Sequence, residues 1–289
     1  MPSNAQFTYR GAQKAVTTAG QTVTWTGSEI QGTGVVAYVL SINQDAGTAT
    51  TNSGWFGTGG IESFRLKAGA NTILDLSYKQ MEAYTQRYSS SNMRAMDAQD
   101  QLTLCIPLYF LDGNTAEQRY SCGFPPGLEP TLEVTQDAGT VPDNDGFTID
   151  IGWWVSRQVP QFSPTIARNA LGFTASTTNQ QFNLTQDGLM RGIIMPTLGV
   201  SQAKVRLGGV DVFDATGQTA ATQGNMIYGS QVYKQGTLPP TTSWHTCVNF
   251  DTLQPLSGGR DFVQLSTDAN YSTAEFDDEV AVYTVTRLG

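Results

Sequence analysis

Short runs in which apolar and polar residues alternate dominate the chain, and Gly, Asn, Asp and Pro separate them. Alternation of this kind is the period of a strand with one face buried. It predicts strands at QTVTW (21–25), VVAYVLSI (35–42), IESFRLK (61–67), LTLCIPLYF (102–110) and TLEVT (131–135). In FTIDIGWWVSR (147–157), Phe147, Ile149, Ile151, Trp153 and Val155 fall on one face. Trp154 then points the other way with Asp150, Gly152 and Ser156, and so large an outward aromatic needs cover from another element or another subunit. The helical period is clear once in the first half, in SYKQMEAYTQRY (77–88), through Met81, Tyr84 and Tyr88. The pattern predicts a mainly β protein with at least one short helix.

The second half of the chain echoes the first in the same order. TTAGQTVTWTGSEIQGTGVVAYVLSI (17–42) resembles STTNQQFNLTQDGLMRGIIMPTLGV (176–200), with Trp25 opposite Leu184. FRL (64–66) matches VRL (205–207), and LTLCIPLYF (102–110) sits opposite WHTCVNFDT (244–252), cysteine on cysteine. LEVTQDAGTVPDNDGFTIDIGWWVSR (132–157) resembles VQLSTDANYSTAEFDDEVAVYTVTR (263–287). The first half carries its extra residues at 43–60 and 112–130, both rich in loop-forming residues, where insertions cost little. The last match needs one residue absorbed between its apolar positions and its closing arginines, Arg157 and Arg287, which a β-bulge would do.

The expected architecture is therefore all-β, with two tandem eight-stranded jelly rolls (β-sandwiches) and short flanking helices. The first roll is expected over 1–158, with longer loops at 43–60 and 112–130, and the second over 159–289.

Composition narrows the function. Of 289 residues, 39% are hydrophobic, enough for a globular chain, but only 14% are charged, against about 25% in ordinary domains. The net charge is −9, lysine is scarce and no basic arm is visible, so direct wrapping of nucleic acid is not expected. The beginning, MPSNAQFTYR, shows no Sec-type apolar region, and no run of about 18 apolar residues occurs. The three cysteines, Cys105, Cys122 and Cys247, have no zinc spacing.

Catalytic chemistry finds little to work with. A Ser–His–Asp or Cys–His arrangement must use the single histidine, His245. Cys247 lies two residues along the same strand face, but a strand histidine beside a buried thiol is the preferred reading. The acidic stretches DNDG (143–146) and FDDE (276–279) could bind calcium or supply paired carboxylates. Both precede the last strand of their own repeat, so a shared turn is preferred. No catalytic, cofactor-binding or metal-binding residue is assigned, and no cofactor is expected.

A tandem pair of β-sandwich units, acidic and without a catalytic signature, resembles the double jelly-roll major capsid proteins of tailless icosahedral viruses. Adenoviruses, tectiviruses and corticoviruses share this lineage, and the compact length resembles the capsid proteins of small membrane-containing phages. The resemblance covers essentially the whole chain and rests on architecture and length. It implies a structural protein of the virion, not an enzyme, whose two upright rolls form a homotrimer, a pseudo-hexagonal tile of an icosahedral shell. It also implies neighbouring capsomers, minor capsid or penton proteins and an underlying internal membrane as partners, no sequence-specific nucleic-acid binding, and assembly in the host cytoplasm. Two other readings stand beside it. One is a carbohydrate-binding or receptor-binding β-sandwich protein using Trp55, Phe56 or Tyr120. The other is a double-sandwich glycosidase or amidase using Asp143, Asp145, Asp277 or Glu279.

Overall fold

The structure is a computed structural model. It describes residues 5–27, 34–44, 61–77, 80, 81, 84, 96, 97, 101–107, 123, 124, 127–136, 138, 147–156, 162–172, 174–184, 188–196, 199–216, 245–256, 259–269, 271 and 279–287. Two compact units divide the chain. The first comprises Met1–Met81, Tyr88–Pro164 and Arg287–Gly289; the second comprises Glu82–Arg87 and Thr165–Thr286.

The first unit contains β1 (Ala5–Arg10), β2 (Lys14–Val16), β3 (Thr22–Thr26), β4 (Gly34–Gln44), β5 (Ile61–Ala68), β6 (Asn71–Ser77), β7 (Met96–Asp97), β8 (Gln101–Pro107), β9 (Pro130–Gln136) and β10 (Phe147–Ser156). One sheet runs β1-β10-β4-β8-β7, with β2 also on β10; the other runs β6-β5-β9-β3. β1 and β2 pair with successive parts of β10 and act as one strand broken at Gly11. The break is packed tightly: Gly11 N–H donates to the Ile151 carbonyl at 2.9 Å, and a Cβ there would lie 3.0 Å from the rings of both Trp25 and Trp153.

The second unit contains most of β11 (Phe162–Ala170), β12 (Gln180–Asn183), β13 (Leu189–Pro196), β14 (Val200–Leu207), β15 (Val210–Ala215), β16 (His245–Pro255), β17 (Phe262–Thr267) and all but the last residue of β18 (Glu279–Arg287). Its sheets run β16-β13-β18-β11 and β12-β17-β14-β15. With β1 and β2 counted as one strand and the two-residue β7 set aside, each unit places its first strand beside its last, its last beside its third and its third beside its sixth, β8 or β16. The second strand lies beside the seventh, the seventh beside the fourth and the fourth beside the fifth. That is the jelly-roll topology, eight strands in two sheets, twice over.

The repeat read from sequence falls on topologically equivalent strands throughout: β3 and β12, β4 and β13, β5 and β14, β8 and β16, β9 and β17, β10 and β18. One detail differs from expectation. Taking the core residues Ile151 and Val282 as equivalent, Cys105 pairs through Val39 to Gly152, whereas Cys247 pairs through Ile194 to Ala281. The ladder position equivalent to Cys105 is Asn249, so the cysteines share a strand but not a register. Bulges occur on the neighbouring strands, at Val36 of β4 and Arg191 of β13; Arg157, at the end of the first match, lies outside the described residues.

Alternation in β10 is as expected, with Ile149, Ile151, Trp153 and Val155 all buried. The Tyr38 ring lies 6.2 Å from that of Trp153 and 6.4 Å from that of Phe124. β18 differs, because every residue from Val280 to Val285 is buried. Val280 and Val282 face the second core with Met190, Ile193, Val205 and Leu265. Tyr283, whose position alternates with theirs, meets the ring of Tyr84 at 6.3 Å.

Gln80, Met81 and Tyr84 are helical and buried; the other residues of the expected helix after Ser77 lie outside the described set. Its start has a chemical cause. Ser77 Oγ accepts from Gln80 N–H at 3.4 Å, and Gln80 Oε1 accepts from Ser77 N–H at 3.1 Å. This reciprocal capping box ends β6 and begins the helical turn.

Candidate functional site

Among the described residues, those singled out for chemistry do not assemble into a reactive centre. His245 opens β16 opposite Pro196, and its side chain lies outside the described residues. Cys247 is buried, opposite Ile194 within the sheet. Glu279 opens β18 with its carboxylate 3.5 Å from Arg168 Nη1, both side chains being largely covered. An ion pair of that kind holds strand ends together and leaves the carboxylate poorly placed as a general base. Asp143, Asp145 and Asp277 lie outside the described residues, as do Trp55, Phe56, Tyr120 and Cys122. So does nearly all of the 43–60 loop, most of the 112–130 loop and the side chain of Trp154. Among the described residues no cluster of three metal-ligating side chains occurs, and no described helix is long and apolar enough to cross a membrane.

The exposed features lie on strand surfaces instead. β15 is the outermost strand of its sheet and carries the exposed large hydrophobics of the described residues, Val210 (64%) and Val212 (36%). It is joined to β14 by Gly208 and Gly209, both at positive φ (59° and 86°). A two-residue hairpin with two left-handed positions favours glycine at both. Asp261, itself buried, accepts from Gly208 N–H at 2.7 Å and ties the hairpin tip to the strand start at Phe262.

A charged ladder crosses this hairpin. Arg206 donates to both oxygens of Asp211, from Nε at 2.6 Å and from Nη2 at 3.1 Å. Lys204 Nζ lies 3.4 Å from Asp211 and 3.4 Å from Asp214, and Gln202 donates to Asp214 at 3.0 Å. The Arg206 hydrogen bond holds the Asp211 carboxyl below its ordinary range. Hydrogen bonds to Asp214 and then Asp211 raise the Lys204 ammonium above its own. Arg206 also sits over the Phe262 ring, 5.5 Å from its centre.

Next to the ladder the same sheet presents amides and hydroxyls. Gln181 donates to Asn183, and Asn179 N–H donates to Ser266 Oγ. The first unit repeats the arginine pair: Arg65 donates to Asp75 through Nε and Nη2 at 3.2 and 3.1 Å, while Lys67 pairs with Glu133 of β9 at 2.8 Å. Sequence reasoning singled out VRL as a repeat but not the ladder. Its signal is readable in KVRLGGVDVFDA (204–215), where cations two residues apart and aspartates three apart flank a Gly–Gly turn, a bulge at Val212 setting each aspartate opposite a cation.

No protein-family model matches the sequence, and none of the curated proteins matches it. Solved structures do match the fold. The major capsid protein P2 from Bacteriophage PM2 superposes with a TM-score of 0.64 at 10% identity, over 98% of this chain and 98% of that one. A chain of Sulfolobus Turreted Icosahedral Virus gives 0.62 at 12% identity over 97% and 90%. The PBCV-1 virus capsid gives 0.53 at 11% identity over 97% and 92%. The chain has the double jelly-roll fold found in these coat proteins.

Proposed function

We infer that the chain is a viral major capsid protein that self-assembles as pseudo-hexagonal trimers and tiles an icosahedral shell. The observation that carries this reading is the end-to-end match to the PM2 coat protein, 98% of each chain. Two jelly rolls and little else are needed for a coat, and the match spans both.

The chemistry of the surface supports the same reading. Several of its described carboxylates are engaged in ion pairs, such as Arg10–Asp150 at 2.9 Å, Arg65–Asp75 and Arg206–Asp211. Low charge and abundant amides and hydroxyls suit contacts between many identical copies, where a high like charge on each subunit would oppose assembly. In this reading the protein is not an enzyme. Its rolls are 1–158 and 159–289, it resides in the virion shell of a bacteriophage, and it is assembled in the host cytoplasm. Its partners are two further copies in the trimer, neighbouring capsomers, minor capsid or penton proteins and an underlying membrane. The acidic balance fits a coat separated from its genome by such a membrane.

Electron microscopy of the purified full chain tests this reading. Discrete six-lobed particles, alone or on a lattice, are expected. Isolated two-lobed particles at high protein concentration would sink it.

A further inference from the structure

We propose that copies join head to tail through strand edges, with β15 of one copy laid against the β1/β2 edge of the next. The proposal rests on the trimeric reading and names the surfaces that close it. Both strands are outermost in their sheets and have a partner on one side only among the described strands. An exposed edge is a template for another strand, and most proteins block it with charge or cover. β1 and β15 match in length, at 6 residues each.

Charge selects the occupant. The charged residues of β15 are Asp211 and Asp214, both negative, whereas those of β1 and β2 are Arg10 and Lys14, both positive. Arg10 is well exposed, its side chain at 79%. Pairing β15 with a second β15 would set aspartates against aspartates, and pairing β1 with β1 would set cations together. Like charges facing across a ladder are destabilising. Of these three pairings, the heterologous one brings the opposite signs of the edge strands together, beside the pairs that Asp211 and Asp214 make with Arg206 and Lys204 and that Arg10 makes with Asp150.

Apolar contact adds to this, since Val210 and Val212 are exposed on that strand. The Arg206 and Lys204 ion pairs hold β15 firmly against β14, so the edge is ordered before a partner arrives and less entropy is lost on docking. A head-to-tail contact closes into a ring when its rotation allows, and a trimer requires closure after three copies.

Cross-linking of the full chain tests the contact. A Thr8→Cys chain and a Val212→Cys chain are treated with a short bismaleimide, separately and mixed, beside the parent with its native cysteines. Covalent dimers above the parent background are expected only in the mixture, and the double variant is expected to give covalent species that stop at three. Dimers from Val212→Cys alone would show edge self-pairing and overturn the proposal. A trimeric parent whose mixed variants do not cross-link would overturn it while leaving the capsid reading intact. A monomeric parent would overturn both. In a second arm, Val210→Lys with Val212→Lys should raise the protein concentration needed for trimers by about tenfold or more, with unchanged circular dichroism. A trimer of unaltered affinity would contradict the proposal.

Discussion

Arg206 and Asp211 face each other across the β14–β15 hairpin, with Nε 2.6 Å from Oδ1. Arg65 and Asp75 make the corresponding pair on β5 and β6 of the first roll. The repeated Arg–Leu dipeptide thus conserves a cross-strand ion pair as well as a core leucine between the two rolls. Because the Asp211 carboxyl titrates below its ordinary value of 3.8, its contribution is fully present above that pH. It is lost as the pH falls through the lowered value. Urea melts of the parent and Asp211→Asn from about pH 2 to about pH 6 should show a stability gap that is constant above pH 4 and closes below it. A gap independent of acid would show that the ion pair contributes nothing to folding. Lys204 has the opposite sign: its contribution is present below its ordinary 10.5 and lost at higher pH.

Gly11 is expected to tolerate no side chain. Its backbone N–H is committed to Ile151, and a Cβ would collide with the Ile151 side chain and press on the Trp25 and Trp153 rings. Gly11→Ala should cost about 1–3 kcal/mol by overpacking, measured by urea denaturation. A change within error would mean that β1 and β2 are free to shift away from β10.

Asp261 is buried at 1% exposure while its carboxylate accepts from the Gly208 backbone. Asp261→Ala leaves that N–H without its acceptor and should cost about 1–3 kcal/mol. Amide hydrogen exchange at Gly208 should quicken in the variant, localising the loss to the hairpin. Unchanged exchange there would contradict the tie.

Tyr84 is fully buried against Tyr283. Tyr84→Ala should cost about 3–5 kcal/mol, and a double-mutant cycle with Tyr283→Ala should give a coupling of about 0.5–1.5 kcal/mol. Additive losses would mean that the rings share burial without interacting.

The two rolls were legible because β10 and β18 close equivalent topologies with similar sequences, and because loops absorb length differences without disturbing strand order. What the pattern misjudged is local. The cysteines look aligned because both sit in apolar strand runs, yet a shift of two residues keeps the same face and leaves no trace in the period. The partners of β10 and β18 each take up one extra residue in the ladder. In β13 that residue is Arg191, buried, with Nη1 donating to the Phe250 carbonyl at 3.1 Å. EVAVYTVT differs from FTIDIGWW in being nearly continuously apolar, the mark of a strand covered on both faces, and its burial follows that difference. The contact of Tyr283 with Tyr84 could not be read from sequence, because burial of a face does not say which distant residue covers it. The hairpin ladder was missed for a simpler reason: charges were weighed for catalysis and not as cross-strand pairs.

The most direct test of the capsid reading is the mass of the purified full chain in solution, by light scattering across a concentration series. A protein of 31.2 kDa that assembles as proposed should weigh three times that mass, with larger lattice fragments at high concentration. A strict monomer at every concentration would contradict it.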